Sequence, residues 1–202
     1  MDKLVRVPDY EQGSAEWHQW RKRVLTASNA PIIMGAAPPY WSRRTWDDLA
    51  DPAPSEHSEW TLRMFRAGHV REQQYGDQHL PSWEHGPVFQ RGRFGASLDY
   101  ARGDRWIDWV EVKSPMSHRS LTWRRAVTVL DGADGEQSHI WWQLVHQAGV
   151  LGGSAVTCQL VVTDPVGWDH QVVEVPVPAL LEDWPKLKAG WSEWADRYER
   201  KQ

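Results

Sequence analysis

Asp99, Glu111 and Lys113 place two carboxylates and one amine in a short stretch of chain, the group types a hydrolase needs to hold a divalent metal beside a phosphodiester. Carboxylates are hard oxygen ligands for Mg²⁺, which keeps several of its waters and accepts phosphate oxygens. A neighbouring ammonium can orient or help deprotonate an attacking water. On its own, an acid and a lysine two apart more often mark a solvated strand face than a site. The three together point to phosphodiester hydrolysis.

The elements around them make the convergence feasible. Trp106-Ile107-Asp108-Trp109-Val110-Glu111-Val112-Lys113 is rich in β-branched and aromatic residues and reads as a strand, in which Glu111 and Lys113 project from one face. An earlier strand-like run covers residues 94–100 and ends beside Asp99. The link Ala101-Arg102-Gly103-Asp104-Arg105 carries the Gly and Asp of a hairpin turn. Such a hairpin would bring Asp99 next to Glu111.

Further segments occur in a fixed order. Gln12-Gly13-Ser14-Ala15-Glu16-Trp17-His18-Gln19-Trp20-Arg21 is followed by Leu25-Thr26-Ala27-Ser28, then Gly68-His69-Val70-Arg71-Glu72, Ser97-Leu98-Asp99, Glu111-Val112-Lys113-Ser114-Pro115, and a helix carrying Gln143. In this order they resemble the motifs of the YqaJ-like viral recombinases and lambda-type exonucleases, over roughly residues 12–153. The resemblance implies a PD-(D/E)xK α/β core, a central mixed sheet flanked by helices, in a single nuclease domain over residues 1–202. The chain departs from the family in having Leu98-Asp99-Tyr100 where Pro-Asp-Gly is more common, and in a longer gap from Asp99 to Glu111.

The resemblance also implies roles. Asp99, Glu111, the carbonyl of Val112 and Glu72 would hold two Mg²⁺ ions, with Mn²⁺ as an alternative. Lys113 would contact the attacking water and scissile phosphate, with Gln143 orienting it or donating to the phosphate. Arg21, Ser28 and Thr26 would bind a terminal 5′-phosphate, a dianion suited to a guanidinium and hydroxyls near a helix end. The implied activity is 5′-to-3′ degradation of one strand of linear duplex DNA in phage-type recombination. The partners implied are DNA ends, a single-strand annealing protein and further copies of the chain in a trimer. A structure- or sequence-selective endonuclease on the same core, and a non-catalytic DNA- or protein-binding module, are the alternatives. His69 stands three residues before Glu72 on the same helical side, and a lone histidine there is more often a surface residue than a ligand.

Composition bounds these readings. A chain of 202 residues with 41% hydrophobic content can bury one sizeable core. Its single cysteine, Cys158, lies in an apolar run, so a packed thiol is expected and a four-cysteine iron–sulfur cluster is excluded. The opening Met1-Asp2-Lys3-Leu4 lacks an apolar signal region and no window approaches ~20 apolar residues, which predicts a soluble, cytoplasmic protein without a membrane partner. The net charge of −4 argues against a generally basic coat. Phosphate contacts would fall instead to local groups: Arg21-Lys22-Arg23, Arg43-Arg44, Arg91 with Arg93, and Arg124-Arg125.

Between the motifs, Ser14 is expected to cap a helix reaching about Val24, with a second helix after residues 26–28. Proline patches at 36–39 and 51–54 bracket a short helix, and a long helix over about 56–80 carries Glu72. A helix over about 120–127 and a loop at 131–135 precede a helix over 136–151 that stops at Gly152-Gly153, followed by strands over 155–163 and 170–177. Pro178 opens the last helix, where Leu180, Trp184, Leu187, Trp191, Trp194 and Tyr198 recur at intervals of three and four. That stripe requires a partner surface, in this core or another subunit. Most of the 15 tryptophans are expected in the core or an interface rather than stacked on bases.

Overall fold

The computed structural model describes residues 2–7, 14–41, 43–50 and 58–198. Gln12 and Gly13 of the first motif, the proline patch at 51–54 and the expected helix start near 56 lie outside the described residues. Among the described residues the order is β1 (Leu4–Arg6), α1 (Ala15–Arg21), β2 (Leu25–Thr26), a 3-10 turn, α2 (Ala30–Ile33), α3 (Trp46–Ala50), α4 (Glu59–His79), β3 (Glu84–His85), β4 (Val88–Arg91), β5 (Phe94–Ser97), β6 (Tyr100–Arg102) and β7 (Ile107–Lys113). Then follow α5 (Leu121–Arg124), a 3-10 segment over Ala126–Asp134, α6 (Ser138–Leu151), β8 (Ala155–Thr163), β9 (His170–Val175) and α7 (Val177–Tyr198).

The expected α/β class holds, but the strands divide into two mixed sheets rather than one. The first runs β1-β4-β5-β2 and the second β3-β6-β7-β8-β9. In the second, β7 and β8 are parallel and the β6–β7 and β8–β9 pairs antiparallel. Parallel neighbours need a crossover, which α5, the 3-10 segment and α6 provide. The short strands β1, β3 and β4, and β2 where the sequence reads as the approach to a helix, are shorter than a periodic pattern can reveal.

Local chemistry explains most element ends. The Ser14 hydroxyl accepts from the Trp17 amide at 3.1 Å and caps α1, which stops at Arg21, short of Val24. Helix α6 ends where Gly152 adopts φ 56°, and Arg91 donates to the carbonyls of Val150 and Leu151 at 2.7 Å each. Arg91 is thereby committed to a helix end, which corrects its reading as a phosphate contact. The span read as a helix near 120–127 and a loop at 131–135 folds as the four-residue α5 and the 3-10 segment.

Strand β7 separates two packing regions. Its Ile107 and Trp109 join the main core with α6 and α7, while Val110 and Val112 pack with Tyr75, Leu80, Tyr100 and Val161 under α4. Tyr100 reaches beneath α4 only because residue 76 is glycine, since a Cβ there would overlap the phenol ring. Helix α6 is buried on nearly every side. The α7 stripe packs on this same core, with Leu180, Leu187 and Trp191 at most 1% exposed. Cys158 is buried as expected. Trp60, Trp106 and Trp168 are exposed. Among the described residues no helix is long and apolar enough to cross a membrane.

Candidate active site

Asp99 lies where the chain leaves β5 of the first sheet and enters β6 of the second. Tyr100 pairs with Val110 and Arg102 with Asp108, so one further step of the register sets Asp99 across from Glu111. Its Oδ2 accepts from the Val112 amide at 2.7 Å, fixing the carboxylate at the end of β7. Glu111 and Lys113 share the strand face turned toward α6, and Lys113 Nζ donates to Glu111 Oε1 at 2.5 Å.

Helix α6 completes this arrangement with glutamines one turn apart. Gln143 Nε2 donates to Glu111 Oε1 at 2.5 Å, while its Oε1 accepts from Lys113 Nζ at 2.9 Å. Gln147 Nε2 donates to Glu111 Oε2 at 2.6 Å and its Oε1 accepts from the Trp109 indole at 3.2 Å. The indole can only donate, so the Gln147 amide must turn its nitrogen to the carboxylate. Gln143 thus touches both charged residues of the Glu-x-Lys motif, and Gln147, which sequence reading passed over, secures the far oxygen. Its position four residues after Gln143 was the available signal.

Glu72 approaches from α4. Its carboxylate, only 15% exposed, accepts from His85 Nε2 at 2.9 Å, and its backbone carbonyl accepts from the Tyr100 hydroxyl at 3.1 Å. Burial raises the Asp99 pKa well above the usual carboxylate value, and the charges of Glu111 and Glu72 add to it against Lys113 and the Val112 amide. Burial acts against the Lys113 ammonium, but Glu111, Asp99 and Glu72 outweigh it and hold its pKa above the ordinary value. Asp99 and Glu111 therefore stand across from each other beside the Lys113 ammonium, and the charge of Glu72 acts on both Asp99 and Lys113. That excess of negative charge on oxygen donors fits a hard divalent cation, which Asp99 and Glu111 could hold with Glu72 close by.

The rim beside Lys113 carries groups the motif order did not single out. His139, one turn before Gln143, is driven down to about 4 by burial and then by Lys113, so it is neutral at pH 7. The Trp41 ring meets it edge-on at 6.3 Å.

A second cluster gathers Arg21, Ser28 and Thr26. Arg21 Nη2 donates to Ser28 Oγ at 2.7 Å, and the Thr26 and Ser28 hydroxyl oxygens are 3.2 Å apart. The guanidinium also lies 4.4 Å from the Trp17 ring centre. The last turn of α1, the strand β2 and the following 3-10 turn supply these groups. Thr26 pairs with Gly95 of β5, the strand that leads toward Asp99.

No family model and no curated protein matches the chain. Solved structures that share its fold include two of one exonuclease. The alkaline exonuclease LHK-Exo from Laribacter hongkongensis superposes with a TM-score of 0.56 at 16% identity, covering 93% of this chain and 95% of that one. LHK-Exo in complex with dAMP does so with a TM-score of 0.62 at 19% identity and the same coverage. At these identities the likeness establishes the architecture.

Proposed function

We propose that this protein is a metal-dependent deoxyribonuclease that degrades one strand of linear duplex DNA from its 5′ end. The observation that carries this reading is that Asp99, held on the Val112 amide, stands across from Glu111, whose carboxylate is bonded to Lys113. The near full-length likeness to an alkaline exonuclease supports it. Asp99, Glu111, the Val112 carbonyl and Glu72 would hold Mg²⁺, two ions in all, with Mn²⁺ as an alternative. When bound, such ions neutralise phosphate oxygens and acidify a coordinated water.

The protein's own groups have distinct tasks. Lys113, protonated at neutral pH, directs an ammonium at the water and phosphate, and Gln143 limits its swing. Gln143 and Gln147 hold the Glu111 carboxylate in place before DNA arrives, so little reorganisation remains during reaction. Arg21, Ser28 and Thr26 take the terminal 5′-phosphate, which makes the enzyme select ends. The same reading extends to a trimer around DNA and an annealing protein as partner, both by analogy with lambda-type enzymes.

The test offers linear duplex with 5′-phosphate or 5′-hydroxyl ends, and covalently closed duplex, to the protein with Mg²⁺. Linear phosphorylated DNA should yield mononucleotides, and Lys113→Ala should slow their release by about 10²–10⁴-fold. Arg21→Ala should erode the preference for phosphorylated ends by about 10–100-fold. Cutting of closed duplex as readily as linear would replace this reading with an endonuclease, and absence of cutting with any divalent ion would remove it.

A further inference from the structure

Glu72, whose charge acts on Asp99, also stands beside two histidines. His85 Nε2 lies 2.9 Å from Glu72 Oε1, and His69 Nδ1 lies 4.0 Å from Glu72 Oε2. One ligand atom from each of the three residues falls within 4.8 Å of the others. His69 and Glu72 come from successive turns of α4, whereas His85 belongs to β3, where it pairs with Tyr100. The residue after it, Gly86, donates its amide to the Asp99 carbonyl at 2.9 Å, so this cluster adjoins the Asp99–Glu111 recess.

We propose that His69, Glu72 and His85 form a site for a borderline transition-metal dication of the Co²⁺ or Zn²⁺ class, favoured there over Mg²⁺. The inference rests on the nuclease reading only in that Glu72 there serves a second cation; it assigns that position two imidazoles and hence a different metal preference. Mg²⁺ demands octahedral oxygen donors and sheds water reluctantly, whereas imidazole suits Co²⁺ and Zn²⁺. Two histidines and a glutamate with an open fourth position form the donor set of hydrolytic zinc sites. With metal–nitrogen bonds of about 2.0–2.1 Å, neighbouring donors sit roughly 3.3 Å apart. The Glu72–His85 separation of 2.9 Å falls a little inside that spacing and the Glu72–His69 separation of 4.0 Å a little outside it, so small side-chain shifts bring all three donors onto one ion.

The supporting contacts belong to a built site. The Tyr100 hydroxyl donates to the Glu72 carbonyl and fixes that turn of α4, while the Tyr100 ring lies 4.9 Å from His85. Outer contacts of this kind set ligand orientation in metal sites. The two cation positions are then chemically unequal: an all-oxygen one at Asp99 and Glu111, and a nitrogen-bearing one at Glu72. Charge placed at the second would relieve the repulsion that Glu72 exerts on Asp99.

The experiment titrates the full chain with Co²⁺ alone, following its visible absorption and the heat of binding, with circular dichroism confirming that each variant is folded. Co²⁺ should bind in the presence of excess Mg²⁺, and its affinity should fall at least about 10–100-fold in His85→Ala and in Glu72→Gln. His69→Ala should weaken binding and alter the absorption. Binding indifferent to His69→Ala and His85→Ala, or readily displaced by Mg²⁺, would overturn the proposal. So would a signal lost only in His79→Ala, because His79 and His170 form another ring pair, with centres 4.5 Å apart. Cleavage of DNA without imidazole-dependent Co²⁺ binding sinks this site and leaves the nuclease reading intact. Imidazole-dependent Co²⁺ binding without cleavage does the reverse.

Discussion

Two buried polar clusters lie along α6, and they differ in charge. At His146 everything is neutral and paired: the ring donates to the Gly95 carbonyl at 3.2 Å and accepts from the Trp191 indole at 3.2 Å, among the rings of Phe94, Trp184 and Trp191. One turn away, Gln143 and Gln147 face Glu111 and Lys113, with the charges of Asp99 and Glu72 added to theirs. Both clusters are well hydrogen-bonded. Burial of polar groups therefore does not distinguish a site from a strut in this protein; gathered charge does.

The largest effect that separates them should come from Glu111→Gln. It removes the charge of the central carboxylate and should lower nuclease turnover by about 10³-fold or more, read as nucleotide release from linear duplex. Retained turnover would remove Glu111 from the chemistry. His146→Ala should instead cost stability, roughly 3–5 kcal/mol, through a cavity and an orphaned Trp191 indole, measured by chemical denaturation. His146→Gln, which can accept and donate in the same two directions, should recover much of that loss.

A smaller effect of opposite sign is expected from Asp99→Asn. It relieves carboxylate repulsion and should stabilise the metal-free protein by about 0.5–2 kcal/mol while abolishing turnover, the trade between stability and activity expected of an electrostatically strained site. A destabilised Asp99→Asn protein would show that the recess is balanced by groups other than those named.

The two clusters should also bend the stability profile in opposite directions. Burial lowers the His146 pKa from 6.5 to about 3, despite opposing hydrogen bonds to Gly95 and Leu25. Between these values the unfolded chain holds the extra proton, so stability falls as pH drops from 6.5 toward 3. The Asp99 pKa is raised from 3.8, so there the folded chain holds the extra proton and stability falls as pH rises from 3.8 through the raised value. Denaturation of the metal-free protein across this range should show the acid-side loss shrink in His146→Gln and the opposite slope vanish in Asp99→Asn.

Much of this was legible in the residues. Strand alternation put Glu111 and Lys113 on one face, and the Ser14 cap fixed where α1 begins, which set Arg21 near the helix end. The spacing of Leu180, Leu187 and Trp191 defined the buried side of α7, though not the surface that covers it. These are periodicities and caps, set by backbone geometry within a few residues.

Other features required the folded chain. That Asp99 occupies the crossing between two sheets follows from pairings of β4 and β5 with strands two or three residues long, which carry no period to read. His85 reaches Glu72 because β3 pairs with β6, and Arg91 caps α6 from a strand nearly sixty residues earlier. Local sequence determined which side chains share a face of each element. Which faces meet was decided by long-range strand register and helix packing, because partners distant along the chain are chosen by burying shared apolar surface and satisfying backbone polar groups together.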